Sequence, residues 1–541
     1  MVANDTYDHK TIEQVDEISR MISLGVGVGM CVNSIPRFGM TERNKIRSGF
    51  RAYAKRMNAC NLITLHERRP KIAMYLHVHC DTIFEALDLK VPSKTPLENV
   101  FFGFMILDHF MNKVRDDEDW YMFDGSKKYD GHSLDEYVGQ EYAEQYEYWV
   151  SKEWYTEKKK ARTVMNAILT SITESGSPYI VWSDAVNLYN NQRSLGPIKT
   201  LNLCAEITNY ASVNNSSSCT LLSCNVGMMS EFPDIVERIY DFLAEKRSFH
   251  NDASDFGTRF QEVARYAQML GYLGTMALNA FIGPIRPRRE IGLSLLGVYD
   301  LSLVINEGPH ETCAIVSEAL YKGACQASCD EYAAFGTECV NFDGSEFARG
   351  RPQWILRNHV PRSNWNNVCL NMTLGMANSM LTAQAPTSTT SLLTGMCESV
   401  LLPVAPLISK ESENGRDRCI CYGILRKSIA SSRLYTDIPR SINDQLNMYT
   451  KSMPFIDHSQ STMFSLELDT QKLFDLLILT YAARMKTALY YPLFKQSCPT
   501  LPLLRRPRAL AKILPNVIHE ETATEAEEST PTVETCDACT L

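Results

Sequence analysis

The sequence predicts an α/β fold in which inner strands alternate with outer helices, as in an α/β barrel. With 541 residues, the chain is too long for one small core, whereas α/β barrels commonly exceed the usual domain size. Its hydrophobic share of 45% and charged share of 22% are ordinary for a globular protein. A helical pattern over 158–175 ends at Gly176 and Pro178, and an apolar strand follows it, which is the alternation that a barrel requires. We therefore expect one large barrel domain, residues 1–514, and an appended tail.

Charge and composition exclude several classes of protein. The net charge of −9 argues against a nucleic-acid-binding surface. The first 20 residues are polar and acidic, unlike a secretory signal, and no apolar run is long enough to span a bilayer. A cytoplasmic location is expected, and there 17 cysteines indicate reduced or catalytic thiols instead of a disulfide framework.

The beginning of the chain reads as a helix followed by a glycine-rich strand. Ile12, Val15 and Ile18 recur at helical spacing, which predicts an amphipathic helix. Glycines at positions 25, 27 and 29 then interrupt an apolar, strand-like run. They either let the backbone approach a ligand closely or relieve packing within the strand.

The central stretch, 200–227, carries the residues with the most distinctive chemistry. Asn202, Cys204 and Glu206 alternate, so an extended backbone would direct all three side chains to one side. Cys219 follows a polar turn, and the chain could fold back to bring the two thiols within the roughly 7 Å between Cα atoms that a disulfide needs. This pattern predicts a redox site beside an acid/base group. The alternative is a buried strand with two inert cysteines.

This stretch resembles the active-site segment of the large subunit of class I ribonucleotide reductase, whose motif reads N-L-C-x-E with a second cysteine at this separation. The resemblance implies that family's ten-stranded α/β barrel with outer helices. It extends upstream through a collinear set of matching residues: Asp184, Asn187, Asn191, Gln192, Leu195, Gly196, Ile198 and Lys199.

The resemblance implies a role for each residue of the central stretch. Cys204 would become a thiyl radical that takes the 3′ hydrogen of a ribonucleotide. Glu206 would act as the base on the 3′ hydroxyl, and Asn202 would hydrogen-bond the sugar hydroxyls. Cys219 would be one of two thiols that supply the reducing electrons and end as a disulfide.

Two departures from the family pattern stand near the beginning of the chain. The partner of Cys219 would fall at about residue 1, yet the chain has no cysteine before Cys31. Cys31 and Cys80 are conceivable substitutes. An H-V-H-C run, residues 77–80, replaces the family's E-P-W-H; it is either the edge of a strand or part of a metal site, and too few further ligands are evident for a metal.

Regulation is also expected to differ from the family's. The family's N-terminal activity domain is absent from this sequence, and the loop that carries the effector signal, around Arg69 and Pro70, is rewritten. Binding of a nucleoside triphosphate effector is left open.

A hydroxyl-rich loop before an apolar run is the expected phosphate site. Free N–H groups at a helix start and nearby hydroxyls can hold phosphate. The family binds the substrate diphosphate with P-T-A-S-T, which corresponds here to Pro386, Thr387, Ser388, Thr389 and Thr390.

The C-terminal part carries two further expected features. Tyr490 and Tyr491 match the tyrosine pair that passes the radical from the small subunit to the cysteine. The tail, 515–541, is acidic and poor in aromatic residues, which predicts disorder. Its Cys536 and Cys539 resemble the terminal dithiol that re-reduces the family's active site.

The sequence thus predicts a divergent reductase large subunit that converts ribonucleoside diphosphates to deoxyribonucleoside diphosphates. The resemblance implies a metal- and radical-bearing small subunit, thioredoxin or glutaredoxin, and a homodimer; no metal or other cofactor is expected on this chain. The rival hypothesis is an inactive homologue that serves as a protein-binding scaffold, favoured by the missing cysteine and the rewritten effector loop.

Overall fold

The structure is a computed structural model of the whole chain. It describes residues 2–4, 11–37, 39–40, 46–47, 49–60, 71–212, 216–231, 260–283, 288–403, 407–411, 417–421 and 441–494, with a few positions between 238 and 245. The expected tail lies outside the described residues.

Strands and helices alternate along most of the described chain. The strands are β1 (Val2–Asn4), β2 (Val28–Cys31), β3 (Gly39–Met40), β4 (Ile46–Arg47), β5 (Ile72–His77), β6 (Val100–Ile106), β7 (Asp119–Met122), β8 (Glu157–Lys160), β9 (Tyr179–Trp182), β10 (Thr220–Asn225), β11 (Ile291–Leu296), β12 (Leu407–Glu411), β13 (Asp417–Cys421), β14 (Met463–Leu466), β15 (Thr487–Leu489) and β16 (Tyr491–Phe494). The α-helices are α1 (Thr11–Ser23), α2 (Gly49–Cys60), α3 (Ile83–Asp88), α4 (Asp108–Asp116), α5 (Gly139–Ser151), α6 (Ala161–Ser175), α7 (Ser183–Leu188), α8 (Gln261–Ile282), α9 (Val298–Val304), α10 (Pro309–Phe335), α11 (Gln353–Leu356), α12 (Asn366–Met372), α13 (Ser388–Thr394), α14 (Ile442–Ser452) and α15 (Thr470–Ala482).

The central sheet has the strand order β1-β2-β5-β6-β9-β15. Its first five strands are parallel to their neighbours, and β15 pairs antiparallel with β9. The helix predicted over 158–175 corresponds to α6, but it begins only at Ala161, because residues 158–160 belong to β8. It is followed by Gly176, which has a left-handed φ of 71°. A glycine tolerates this conformation without steric cost, so α6 stops and the chain turns directly into β9.

Backbone hydrogen bonds continue this row of strands beyond β15. The N–H of Tyr490 donates to the carbonyl of Thr462, and the neighbouring segment 457–462 bonds to segment 380–384 through Gln384. Segment 380–384 in turn bonds to β11 at Leu293, and β11 pairs in parallel with β10. Ten extended segments therefore follow one another: β1, β2, β5, β6, β9, β15, 457–462, 380–384, β11 and β10.

The two faces of the central sheet bury different neighbours. Met74 and Leu76 of β5 belong to the large core that the outer helices cover. Ala73 and Tyr75, at the alternate positions, belong to a smaller core that packs around residues 198–205 and Tyr490. Because side chains alternate along a strand, one face holds the helices and the other holds the central stretch of the sequence.

The beginning of the chain agrees with the predicted helix and glycine-rich strand. The helix is α1, and Gly29 lies in β2 directly against the backbone of the central stretch. A Cβ atom at Gly29 would lie 1.9 Å from the carbonyl oxygen of Leu201. In the structure, this glycine therefore lets two backbones of the protein approach each other.

Candidate active site

The segment 200–210, called here the Cys204 segment, is a turn and not the extended strand that the alternating pattern suggested. Its residues form no regular strand, and Ala205 has a φ of 60°. The side-chain Oδ1 of Asn202 accepts the backbone N–H groups of Glu206 and Ile207, both at 3.0 Å. Asn202 and Glu206 are thus brought together by a turn that the asparagine itself stabilises.

Glu206 is a buried carboxylate with a specific hydrogen-bond donor. Its side chain is 2% exposed, and burial raises its pKa, while hydrogen bonds from Asn202 and Ser461 oppose that rise. The Ser461 hydroxyl lies 3.1 Å from Oε2 of Glu206 and 2.6 Å from the carbonyl oxygen of Cys204. A carboxylate with a raised pKa beside a thiol is suited to accept a proton from a bound substrate.

Cys204 lies within hydrogen-bonding distance of a buried tyrosine. The Oη of Tyr490 is 3.4 Å from Sγ of Cys204, and the tyrosine is fully buried. Its ring also meets the ring of Tyr179 edge-on, with 4.9 Å between the centroids. Tyr491, the other predicted radical residue, is half-buried and follows at the start of β16, with its ring next to Gly176.

Cys219 lies at the opposite end of the central stretch, immediately before β10. Its Sγ is 3.7 Å from Nε2 of His458, and a Cβ atom at Gly292 would lie 3.2 Å from the same sulfur. Neither Cys204 nor Cys219 forms a disulfide among the described residues, and both are half-buried.

Several residues that hold the Cys204 segment were missed by sequence reasoning. The hydroxyl of Tyr75 donates to the carbonyl of Asn202 at 2.7 Å, and that of Thr487 donates to the carbonyl of Ala205 at 2.6 Å. The N–H of Ser459 donates to the carbonyl of Glu206 at 2.7 Å. The D-H-S-Q-S run, 457–461, was the available signal for these supporting residues. All five of its polar residues are buried, and buried polar groups need hydrogen-bond partners within the protein.

Comparison with known proteins decides the family. The family model described as "Ribonucleotide reductase, barrel domain" matches residues 2–491. This chain belongs to the ribonucleotide reductase barrel family. The predicted α/β barrel of the ribonucleotide reductase type, with outer helices, is thereby confirmed.

The relatives of this reductase barrel come from viruses and from cellular organisms. The ribonucleoside-diphosphate reductase large subunit of vaccinia virus is 26% identical over 529 residues, covering 89% of this chain and 66% of the relative. The large chain of Encephalitozoon cuniculi is 26% identical, covering 79% of this chain and 58% of the relative. The large subunit of Danio rerio is also 26% identical, covering 62% and 41%. The chain thus spans less than two thirds of the length of these relatives.

The predicted phosphate loop of the reductase barrel opens the short helix α13. Thr387 precedes the helix with a left-handed φ of 59°, and its hydroxyl accepts the N–H of Ser399 at 2.7 Å. Pro386 and Thr387 are buried, whereas the side chains of Ser388, Thr389 and Thr390 are half-buried. Ser388 donates to Oε2 of Glu398 at 3.3 Å. The loop therefore presents hydroxyl groups, with one carboxylate close to them.

The substitute cysteines of the reductase barrel lie at the ends of two neighbouring strands of the central sheet. Cys31 ends β2, and Cys80 follows β5, with its Sγ 3.4 Å from Oδ1 of Asn33. Both are buried, and burial raises the pKa of the Cys80 thiol well above its usual value. A buried thiol with a raised pKa is a poor nucleophile in this conformation.

The H-V-H-C run is held by protein partners. His77 Nδ1 is 2.7 Å from Nδ2 of Asn33, and His79 Nδ1 is 3.1 Å from the hydroxyl of Tyr142. Within the described ranges, no three His, Cys, Asp or Glu side chains converge as a metal ion would need.

Two further points concern the chain as a whole. Cys536 and Cys539 lie outside the described residues, so their predicted role stays a prediction. Among the helices that the structure describes, none is long and apolar enough to cross a membrane.

Proposed function

We propose that this chain is the catalytic subunit of a ribonucleoside-diphosphate reductase, which makes deoxyribonucleoside diphosphates for DNA synthesis. The observation that carries the proposal is the 3.4 Å contact between Oη of the fully buried Tyr490 and Sγ of the half-buried Cys204. Named relatives are reductase large subunits, and family membership supports the same chemistry here.

The contact provides a direct route for making the thiyl radical. A neutral tyrosyl radical at Tyr490 would take the hydrogen atom of the Cys204 thiol, so that the phenol O–H forms and the S–H bond breaks. At 3.4 Å the hydrogen atom crosses one hydrogen bond and needs no intermediate group. Tyr491 would pass the radical to Tyr490 from a metal-containing small subunit.

The neighbouring residues would then act on the ribose. The Cys204 radical takes the 3′ hydrogen, and Glu206, whose pKa is raised by burial, accepts the 3′ hydroxyl proton. Asn202 uses its Oδ1 to shape the turn, which leaves its amide N–H groups to orient Glu206 and the sugar.

Cys219 supplies one of the two thiols whose oxidation to a disulfide delivers two electrons to the sugar. Cys31 and Cys80 remain the candidates within this sequence for the second thiol; both are buried, so either would require the sheet to open. The Cys536–Cys539 dithiol would reduce that disulfide and then be reduced by thioredoxin or glutaredoxin.

The remaining components of the proposed reaction follow from the same chemistry. The loop from Pro386 to Thr390 would hold the substrate diphosphate through its hydroxyls and backbone N–H groups. The active form is proposed to be a homodimer that works in the cytoplasm with its small subunit. Response to a nucleoside triphosphate effector is left to direct binding measurements.

A single-turnover assay tests this function. Prereduced protein, its radical-loaded small subunit and a ribonucleoside diphosphate are mixed, and deoxynucleotide is counted per chain. We expect close to one equivalent, none from Cys204→Ala, and an unchanged yield from Cys60→Ala, a half-buried thiol at the end of α2. Wild-type turnover in Cys204→Ala would refute the radical role. Absence of product with the substrate bound would instead favour the scaffold.

A further inference from the structure

The imidazole of His458 contacts three parts of the candidate active site: the Cys204 segment, β11 and Cys219. Its Nδ1 is 3.3 Å from the backbone nitrogen of Thr208 in the Cys204 segment. Its Nε2 is 3.1 Å from the carbonyl oxygen of Ile291 on β11 and 3.7 Å from Sγ of Cys219. The residue is fully buried.

These contacts determine which ring nitrogen carries the proton. The backbone nitrogen of Thr208 is a donor, so Nδ1 must accept and therefore has no hydrogen. The carbonyl of Ile291 is an acceptor, so Nε2 must carry the hydrogen. The atom that faces the sulfur of Cys219 is consequently a fixed N–H donor.

We propose that His458 is a positioning residue for Cys219, in which a permanently neutral imidazole presents Nε2–H to the sulfur and stabilises its thiolate. The thiolate is the form of cysteine that attacks disulfides and alkylating reagents. The same Nε2–H faces the Ile291 carbonyl and the sulfur, and its interaction with the sulfur strengthens when negative charge develops there, because hydrogen bonds to charged groups are stronger than those to neutral ones. The proposal rests on the proposed function, in which Cys219 is a redox thiol.

The surroundings of the ring keep it neutral. Burial lowers the pKa of His458 to about 3, and the nearby positive charge of Lys486 acts in the same direction. The ring is held from both sides by backbone groups, so it cannot turn to present a different nitrogen to the sulfur. The titratable side chains on the segments that contact the ring, or directly beside them in the sequence, are Cys204, Glu206, Tyr210, Cys219, Glu290, Asp457 and Lys486.

The expected consequence is a lower thiol pKa at Cys219, which alkylation can measure on the isolated chain. Iodoacetamide reaction at Cys219 is followed between pH 5.5 and 10 by peptide mass spectrometry, with Cys60 as the internal control. His458→Leu should raise the midpoint at Cys219 by about one pH unit, a tenfold loss of thiolate below the midpoint. His458→Gln, which keeps a side-chain N–H donor and an acceptor, should restore the midpoint. Cys60 should not change.

Two results would overturn the proposal. One is an unchanged Cys219 midpoint in folded His458→Leu protein. The other needs only the wild-type chain: a second inflection between pH 5.5 and 7.5 at Cys219, absent at Cys60, would show that the imidazole itself ionises. Because no small subunit or substrate is present, these outcomes are independent of turnover. A chain that fails the single-turnover assay yet shows the midpoint shift would lose the proposed function and keep the His458–Cys219 pair.

Discussion

At the scale of single residues, Ser461 has one hydroxyl proton for two acceptors. The hydroxyl lies 2.6 Å from the Cys204 carbonyl oxygen and 3.1 Å from Oε2 of Glu206. While Glu206 is ionised, it competes with the carbonyl for that proton. Once Glu206 is protonated, it can donate to the Ser461 oxygen, and the hydroxyl is released to the carbonyl. The hydrogen bond that Ser461 donates therefore depends on the protonation state of the proposed base, Glu206.

Replacing Ser461 with alanine should lower kcat/KM on the acidic side of the pH profile, because less Glu206 is ionised there. The hydrogen bond from Ser461 lowers the pKa of Glu206, so its loss raises that pKa further. Because the base must be ionised, the acidic limb of kcat/KM should move to higher pH by about one unit, or about tenfold in rate on that limb. Ser461→Thr keeps the hydroxyl and should retain the wild-type limb. An unmoved limb in Ser461→Ala would contradict this assignment.

The sequence revealed the proposed reacting residues more readily than the residues that hold them in place. Asn202, Cys204 and Glu206 stand within five positions, so one motif identifies them together. Ser461 and Thr487 meet the same turn from 257 and 282 positions away. Such contacts depend on how the strands are arranged, and no local periodicity encodes that arrangement.

At the scale of secondary-structure elements, β2 supports the Cys204 segment by backbone contact. A Cβ atom at Gly29 would lie 1.9 Å from the Leu201 carbonyl oxygen and 2.8 Å from Cα of Asn202. Both neighbours are backbone atoms and cannot rotate away. The distance between β2 and the Cys204 segment is therefore set by the absence of a side chain at Gly29.

Gly29→Ala should damage both stability and activity. The added methyl group must displace backbone, at a cost of about 1–3 kcal/mol in the free energy of unfolding. Displacement of Asn202 should also lower kcat. Gly39→Ala is the matched control, because a Cβ atom added there would meet nothing within 4 Å and Gly39 has no left-handed φ. Urea unfolding with turnover measurements checks both; equal stability of the two variants would refute the packing account.

The barrel elements themselves followed from sequence, whereas the conformation of the Cys204 segment did not. The α6–β9 junction was predictable because Gly176 and Pro178 mark it. The alternation in residues 202–206 indicated an extended strand, but Ala205 has a positive φ. Alanine is uncommon in that region of backbone conformation, so its presence did not signal a turn. Hydrogen bonds to Asn202 and Thr487 hold the turn instead.

At the scale of the whole molecule, buried ionisable groups make stability depend on pH in opposing directions. Burial lowers the pKa of His77 to about 4, and it raises the pKa of Asp457 to about 6. As pH falls, the unfolded chain binds a proton on the histidine first, which destabilises the native state. The native state binds a proton on the aspartate first, which stabilises it. Only a comparison of variants separates the two contributions.

His77→Gln should remove the histidine contribution. Below about pH 6.5 the unfolded imidazole is protonated, while the native one stays neutral down to about pH 4. Between pH 7 and pH 5 the wild type should therefore lose about 2 kcal/mol more unfolding free energy than the variant. Denaturant titrations at both pH values test this, with the exposed His132→Gln as control. Equal losses in wild type and His77→Gln would contradict it.

The tail dithiol is expected to matter only for repeated turnover. Replacing Cys536 and Cys539 together with serine should block thioredoxin-driven turnover and spare a single turnover of prereduced protein. In the proposed reaction, the active-site thiols provide the first pair of electrons, and the tail dithiol restores them afterwards. Steady-state and single-turnover yields measured on the same preparation separate the steps. Equal activity of this variant and wild type in both assays would remove the role of the tail.

The contact between Cys204 and Tyr490 also bears on the order in which the protein acquires its structure. The two residues are 286 positions apart, and Tyr490 comes directly after β15, the strand that pairs with β9. A growing polypeptide on the ribosome places β1 to β9 and the thiol long before the tyrosine is synthesised. Contacts of such separation form late, because the closure of long loops must precede them. The thiol therefore gains its proposed radical partner only when nearly the whole barrel has been made.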